Sequence, residues 1–159
     1  VGDARRAVER AGISPAQIIF EVTERGLVDE AGCRQVIDAL KAAGHAIAID
    51  DFGTGYSSLS YVGTFRLDYL KIDKAFVQAI GTGAATAELA DVIIDMAKTL
   101  RLRIIAEGAE TAGHIDHLRE RGVDLVQGWY YAKPLPAPEF LLYLDKGGVG
   151  RQQRTEADA

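Results

Sequence analysis

Cysteine, tryptophan and methionine occur once each in these 159 residues, histidine three times and proline four times. A single Cys33 excludes an internal disulfide and any multi-cysteine zinc site. With no histidine beside it in a motif, it reads as a small buried hydrophobe. Basic side chains are also short: 18 Lys and Arg stand against 23 Asp and Glu, for a net charge of −5. That balance argues against a scaffold for DNA or RNA, which needs a basic face for the phosphates. A small phosphorylated ligand stays open, because bound metal ions can offset local carboxylates. No apolar run approaches bilayer-spanning length, and Val1 to Arg6 lacks the apolar centre of a signal peptide, so no membrane contact is expected from this segment. Cytoplasm is the default location. The histidines form no site by spacing: His45 precedes a strand, and His114 and His117 align only partly on a helix. All three read as surface residues.

What is present is a balanced composition, 48% hydrophobic and 26% charged, with length for one domain and a real core. Apolar runs and helical patterns alternate along the chain. Residues 3–11 read as the end of a helix closed by Gly12, and Ile18-Ile19-Phe20-Glu21-Val22-Thr23-Glu24 as a strand with carboxylates at its far end. A helix from about Asp29 to Ala43, stopped by Gly44, leads to Ile47-Ala48-Ile49-Asp50-Asp51-Phe52-Gly53-Thr54-Gly55, a strand entering a glycine-rich turn. Ser57 to Tyr61 begins a short helix, and Asp68 to Asp73 is a third strand. From Ala84 to Leu100 the residues Leu89, Val92, Ile93, Met96 and Leu100 form one apolar stripe. Arg103 to Glu107 is the fourth strand. Thr111 caps a helix carrying Ile115 and Leu118, Leu125 to Tyr130 is the fifth strand, and a last helix runs from about Pro138 to Leu144. Residues 145–159 read as a flexible tail with little to bury.

Five strand–helix units with crossovers of this length predict a parallel sheet. A lone Asp after a strand commonly just caps the next turn. Here each of five strands delivers a polar residue at the same end: Glu21, Asp50 with Asp51, Lys71, Glu107 and Gln127. That makes a shared rim at the strand C-termini, where α/β sites are built. Asp50 is placed to bridge two metal ions, with Asp51, Glu21 and Glu107 each completing one coordination shell, for in-line displacement at a phosphoryl group. Oxygen ligands suit magnesium or manganese better than zinc. Lys71 adds positive charge toward the phosphate or attacking water, or else only neutralises the carboxylates. Gln127 orients a water or satisfies a backbone group.

The motifs Glu21-Val22-Thr23-Glu24, Asp50-Asp51-Phe52-Gly53-Thr54-Gly55-Tyr56-Ser57-Ser58-Leu59, Leu70-Lys71-Ile72-Asp73, Ala106-Glu107-Gly108-Ala109-Glu110-Thr111 and Gln127-Gly128-Trp129-Tyr130 closely resemble, in order, those of bacterial EAL-domain cyclic di-GMP phosphodiesterases. The resemblance spans roughly residues 13–144. It implies a TIM-like (β/α) barrel, incomplete in this chain, that binds cyclic di-GMP at its C-terminal rim and hydrolyses it to linear pGpG with two Mg2+ or Mn2+ ions. By resemblance Glu21, Asp50 and Asp51 are metal ligands, and Lys71 lies near the nucleophilic water. Glu107 is a metal-binding or base carboxylate, and Glu110 and Gln127 support the site. Glu24 steadies the Asp50-Asp51-Phe52-Gly53 loop, which the family links to dimerisation, and Phe52, Gly53, Thr54 and Gly55 are substrate or loop residues.

The family's Glu-Ala-Leu signature, which carries a metal-binding Glu and a nearby substrate-binding Arg, does not occur in this chain. Nor does a later Asn on another early strand. Residues 1–144 are therefore expected to form a partial EAL domain with impaired turnover. It should form a homodimer or pair with the missing N-terminal part, and it could be the cytoplasmic part of a larger membrane-anchored sensor. The alternative is a non-catalytic EAL-like module that binds cyclic di-GMP or a protein partner in signalling.

Overall fold

The computed structural model describes residues 2–24, 26, 30–53 and 64–147. Helix α1 (Gly2–Ala11) leads through a 3-10 turn, Pro15–Gln17, into β1 (Ile19–Thr23), and α2 (Glu30–Ala42) leads into β2 (Ala46–Phe52). Strand β3 (Tyr69–Ile72) is followed by α3 (Lys74–Ala79) and α4 (Ala85–Thr99). Then come β4 (Arg103–Ala106), α5 (Ala112–Glu120), β5 (Leu125–Val126) and α6 (Ala137–Asp145). Polar residues start several of these elements. Ser14 and Gln17 form a reciprocal capping box, Asp73 accepts the Ala75 N–H at 2.8 Å, and Thr111 Oγ1 accepts the His114 N–H at 3.2 Å.

Every strand pairing is parallel, and strand order equals chain order, β1-β2-β3-β4-β5. A doubly wound sheet reverses its order at a switch point; a sheet that never reverses is the arc of a (β/α) barrel. The five expected strand units are therefore present as an incomplete barrel. One face packs under the helices. Ile47, Ile49, Leu70, Ile72, Ile104 and Ala106 join Ile37, Leu40, Val77, Ile94 and Leu118 in one buried cluster. The other face carries a smaller layer, Ala48, Tyr69 and Ile105, with Ile19 and Ala46 against it. Side chains alternate along a strand, so the next residues on that second face are Glu21, Asp50, Lys71, Glu107 and Gln127. The polar rim is the continuation of an apolar inner layer.

The opposite ends of the strands are pinned by two aspartates. Asp68 Oδ2 accepts the Ile47 N–H at 2.8 Å and the Lys41 ammonium at 2.7 Å, and Asp124 Oδ2 accepts the Ile104 N–H at 2.8 Å. Each carboxylate supplies an acceptor to a backbone donor of a buried residue on a neighbouring strand. Asp68→Ala is expected to lower stability by about 1–3 kcal/mol, because it removes the acceptor of a buried donor. Urea denaturation measures this, and an unchanged midpoint would show that the clamp is dispensable.

Three expectations are corrected. The buried stripe of α4 is Ala90, Ile93, Ile94 and Ala97, while Leu89 and Val92 are 46% and 60% exposed. The face turned to the core thus combines two alanines with Ile93 and Ile94, and Leu89 and Val92 lie outside it. The fifth strand ends at Val126 instead of Tyr130, because the chain after it is diverted against the β4 loop. His45 and His114 are buried, at 3% and 8% exposure. His45 Nδ1 lies 3.0 Å from the Pro15 carbonyl; that oxygen can only accept, so the ring nitrogen donates. His117 is half-buried and pairs with Asp91 at 2.9 Å. The short helix expected at Ser57 to Tyr61 and tail residues 148–159 lie outside the described residues, as do Thr54 and Gly55. Helix α6 buries none of its side chains; Phe140, Leu141, Leu142 and Leu144 are all exposed.

Candidate active site

At the centre of the rim is Lys71, on β3 between the fully buried Leu70 and Ile72 and itself only 3% exposed. Its ammonium donates to Glu21 Oε2 of β1 at 2.8 Å, to Asp50 Oδ1 of β2 at 3.0 Å, and to Glu107 Oε1 at the end of β4. Burial alone would favour loss of the proton. Hydrogen bonds to Glu107, Glu21 and Asp50 outweigh it and hold the Lys71 pKa above the ordinary lysine value. Lys71 is thus a fixed positive charge at neutral pH and cannot act there as a base.

Glu107 is held from two sides, since Gln127 Nε2 also donates to its Oε1 at 2.7 Å. That contact depends on the backbone. The Gln127 N–H reaches Ala106 O at 2.9 Å, the Ala109 N–H reaches Gln127 O at 3.2 Å, and the Tyr130 N–H reaches Ala109 O at 3.0 Å. Gly128 makes this lock sterically possible: a Cβ there would lie 2.1 Å from Ala109 O. Gly108 is equally constrained. Its φ is +74°, and a Cβ would fall 2.5 Å from Lys74 Cβ, so the 107–110 turn is seated on the first turn of α3.

The other expected site residues are placed as follows. Asp51 is exposed and has φ +55°, where the β2–β3 register shifts, and its N–H donates to Asp50 Oδ1 at 3.0 Å. This left-handed residue breaks the alternation, so two consecutive carboxylates need not face opposite sides of the sheet. Phe52 is buried, and a Cβ at Gly53 would press on the Phe76 ring at 3.2 Å. Both oxygens of Glu24 are shielded from solvent without a hydrogen-bond partner among the described residues. Glu110 stands apart from the Lys71 cluster. Its Oε1 accepts from Gln78 Nε2 at 2.9 Å, and its N–H donates to His114 Nδ1 at 3.3 Å.

Beside Glu107 and Gln127 opens a cleft of about 540 Å³, which also reaches Gln78, Trp129, Lys133 and Tyr143. The Lys133 ammonium sits 5.1 Å from the centre of the Trp129 ring. Gln78 and Tyr143 carried no sequence signal, because they come from helices whose patterns report only on packing. Trp129 and Lys133 lie in or just beyond a motif that was recognised, but only folding lays them along a cleft.

A family model described as "EAL domain" matches residues 1–134. The chain belongs to the EAL domain family. It is 45% identical over 130 residues to the probable cyclic di-GMP phosphodiesterase PdeN of Escherichia coli K12, covering 82% of this chain and 25% of PdeN. Among solved structures, the PaMucR phosphodiesterase in complex with c-di-GMP superposes with a TM-score of 0.78 at 36% identity, covering 86% of this chain and 56% of that one. Klebsiella pneumoniae BlrP1, in a manganese and cyclic di-GMP complex, gives a TM-score of 0.73 at 34% identity, covering 84% of this chain and 34% of BlrP1. The chain spans about a quarter of the length of the curated relatives it matches, PdeN and PdeB of E. coli among them. Within the EAL fold, the rim described above lies at the strand C-termini, the end where barrels of this class carry their chemistry.

Proposed function

We propose that this EAL chain provides the catalytic rim of a cyclic di-GMP phosphodiesterase that hydrolyses one phosphodiester to give linear pGpG. The observation that carries the reading is the convergence of Glu21, Asp50 and Glu107, from three strands, on the buried Lys71 ammonium. All the donors are hard carboxylate oxygens of the kind that Mg2+ or Mn2+ takes, so the residues present fit divalent ions in their chemistry. Glu21, Asp50, Asp51 and Glu107 are the residues that would hold two such ions. When bound, these supply charge neutralisation at the phosphate and acidify water.

Lys71, charged at neutral pH, offers positive charge and N–H donors to a phosphoryl oxygen or to the attacking water. Gln127 fixes the direction of Glu107, which leaves its second oxygen for ligand or proton transfer. Glu110, oriented by Gln78, faces the cleft, where the exposed Trp129 ring offers a stacking surface to a nucleobase.

Chromatography after incubating the chain with cyclic di-GMP and Mg2+ or Mn2+ tests this. Turnover by the 159-residue chain alone is expected to be weak, because it lacks the Glu-Ala-Leu segment. Supplying the N-terminal portion of an EAL domain should raise it, and Asp50→Ala should abolish it. Continued absence of pGpG from the reconstituted domain would favour a non-catalytic module that binds the dinucleotide or a protein. The apolar face of α6 and the two-residue edge strand β5 favour association, with a second copy or with the remainder of such a domain. Light scattering across a concentration series should then show mass above that of one chain.

A further inference from the structure

The three rim carboxylates are arranged around an ammonium. Glu21 and Asp50 stand 2.8 and 3.0 Å from Lys71 Nζ, and Glu107 is in direct contact. These are N–H···O separations; a small divalent ion draws its oxygens in to roughly 2.0–2.6 Å and takes six or more of them. Accordingly, no group of three His, Cys, Asp or Glu among the described residues is spaced to hold a metal ion. Yet the donor chemistry fits one, and three carboxylates against one ammonium leave the cluster with a formal charge of about −2, as each ionised group counts one unit. The lysine is not a bystander in that balance. It is 3% exposed and hydrogen-bonded to all three carboxylates, so it cannot swing into solvent without leaving them.

We infer that Lys71 is a resident counter-cation that competes with a divalent ion for Glu21, Asp50 and Glu107, and thereby sets the cation affinity of the rim. The inference rests on the rim being the cation-dependent site proposed above. An arriving ion meets repulsion from the ammonium, and Glu21 Oε2, Asp50 Oδ1 and Glu107 Oε1 each give up a contact with Lys71 when they turn toward the ion. Gln127 steadies one of those carboxylates independently of Lys71, through its 2.7 Å bond to Glu107, so the set keeps part of its geometry when the lysine charge is removed.

The sign of the effect separates competition from mere support. If Lys71 only organises the carboxylates, neutralising it loosens the rim and weakens cation binding; if it competes, binding tightens. Titration of the full chain with Mn2+, followed by calorimetry, is expected to give a Kd roughly tenfold lower for Lys71→Met and Lys71→Gln than for the parent, since a neighbouring positive charge is removed. Circular dichroism first establishes that each variant is folded. A Kd that is unchanged or higher in a folded variant overturns the inference while leaving the cation site standing. Absence of Mn2+ binding in the parent and in both variants overturns the inference together with the site.

Should neither variant fold, the parent chain gives the answer through amine acylation read by mass spectrometry. Lys71 should be protected without Mn2+ and label faster with it, as the ion takes a share of the carboxylates that shield the amine. Unchanged labelling at saturating Mn2+ overturns the inference.

Discussion

Replacing Gly128 by alanine is expected to cost at least about 3 kcal/mol of stability, because overpacking against backbone cannot be relieved by a rotamer change. The added methyl would lie 2.1 Å from Ala109 O, 2.4 Å from Ala109 N and 2.8 Å from Ala109 C. None of these atoms is the end of a flexible side chain. Relief requires the 106–111 turn and the 127–130 turn to separate, which breaks the bonds from Ala109 N–H to Gln127 O and from Tyr130 N–H to Ala109 O. The same separation draws Gln127 from Glu107, so the damage reaches the rim. Denaturant unfolding monitored by circular dichroism measures it, and a loss below about 1 kcal/mol would mean that the two turns are less tightly joined than this geometry requires.

Lys71→Met is expected to lower stability by about 2–4 kcal/mol near neutral pH. Removing one partner of a buried ion cluster strands the others, and the partial exposure of Glu21, Asp50 and Glu107 keeps the figure below the upper end for fully buried pairs. The pH dependence has a definite direction. The folded-state pKa of Lys71 is raised above about 10.5, its ordinary value. Its contribution is therefore fully present below that pH and is lost as pH rises toward the folded pKa. The stability difference between the parent chain and Lys71→Met should stay constant from pH 7 to about 10 and shrink above it. A difference that grows with alkaline pH would contradict the assignment of Lys71 as a charged, carboxylate-bound lysine.

Much of the rim was legible because strand alternation is a local rule. Ile19 and Glu21, Ala48 and Asp50, Tyr69 and Lys71, Ile105 and Glu107, and Leu125 and Gln127 each stand two apart, so an apolar inner layer and a polar rim follow from counting by twos. The sequence of strand and helix units likewise implied a parallel sheet, since each crossover returns the chain to the same end. The parallel sheet and the shared polar rim were thus legible in the sequence through short-range periodicity and the connections between elements, whereas the barrel was implied by the resemblance of the motifs.

Tertiary structure decided what depends on partners far apart in the chain. Leu89 and Val92 turn outward on α4 because the buried face is Ala90, Ile93, Ile94 and Ala97, which a helical stripe of large residues could not reveal. The burial of His45 depends on the Pro15 carbonyl, thirty positions away, and on the Phe20 ring. Strand β5 stops after two residues because Gly128 must meet the Ala109 backbone, and Glu110 parts from the Lys71 cluster because Gln78 draws it into the cleft. Periodicity is set by each residue's own backbone geometry and survives in sequence; hydrogen bonds and steric contacts between distant segments exist only once the barrel arc has closed around them.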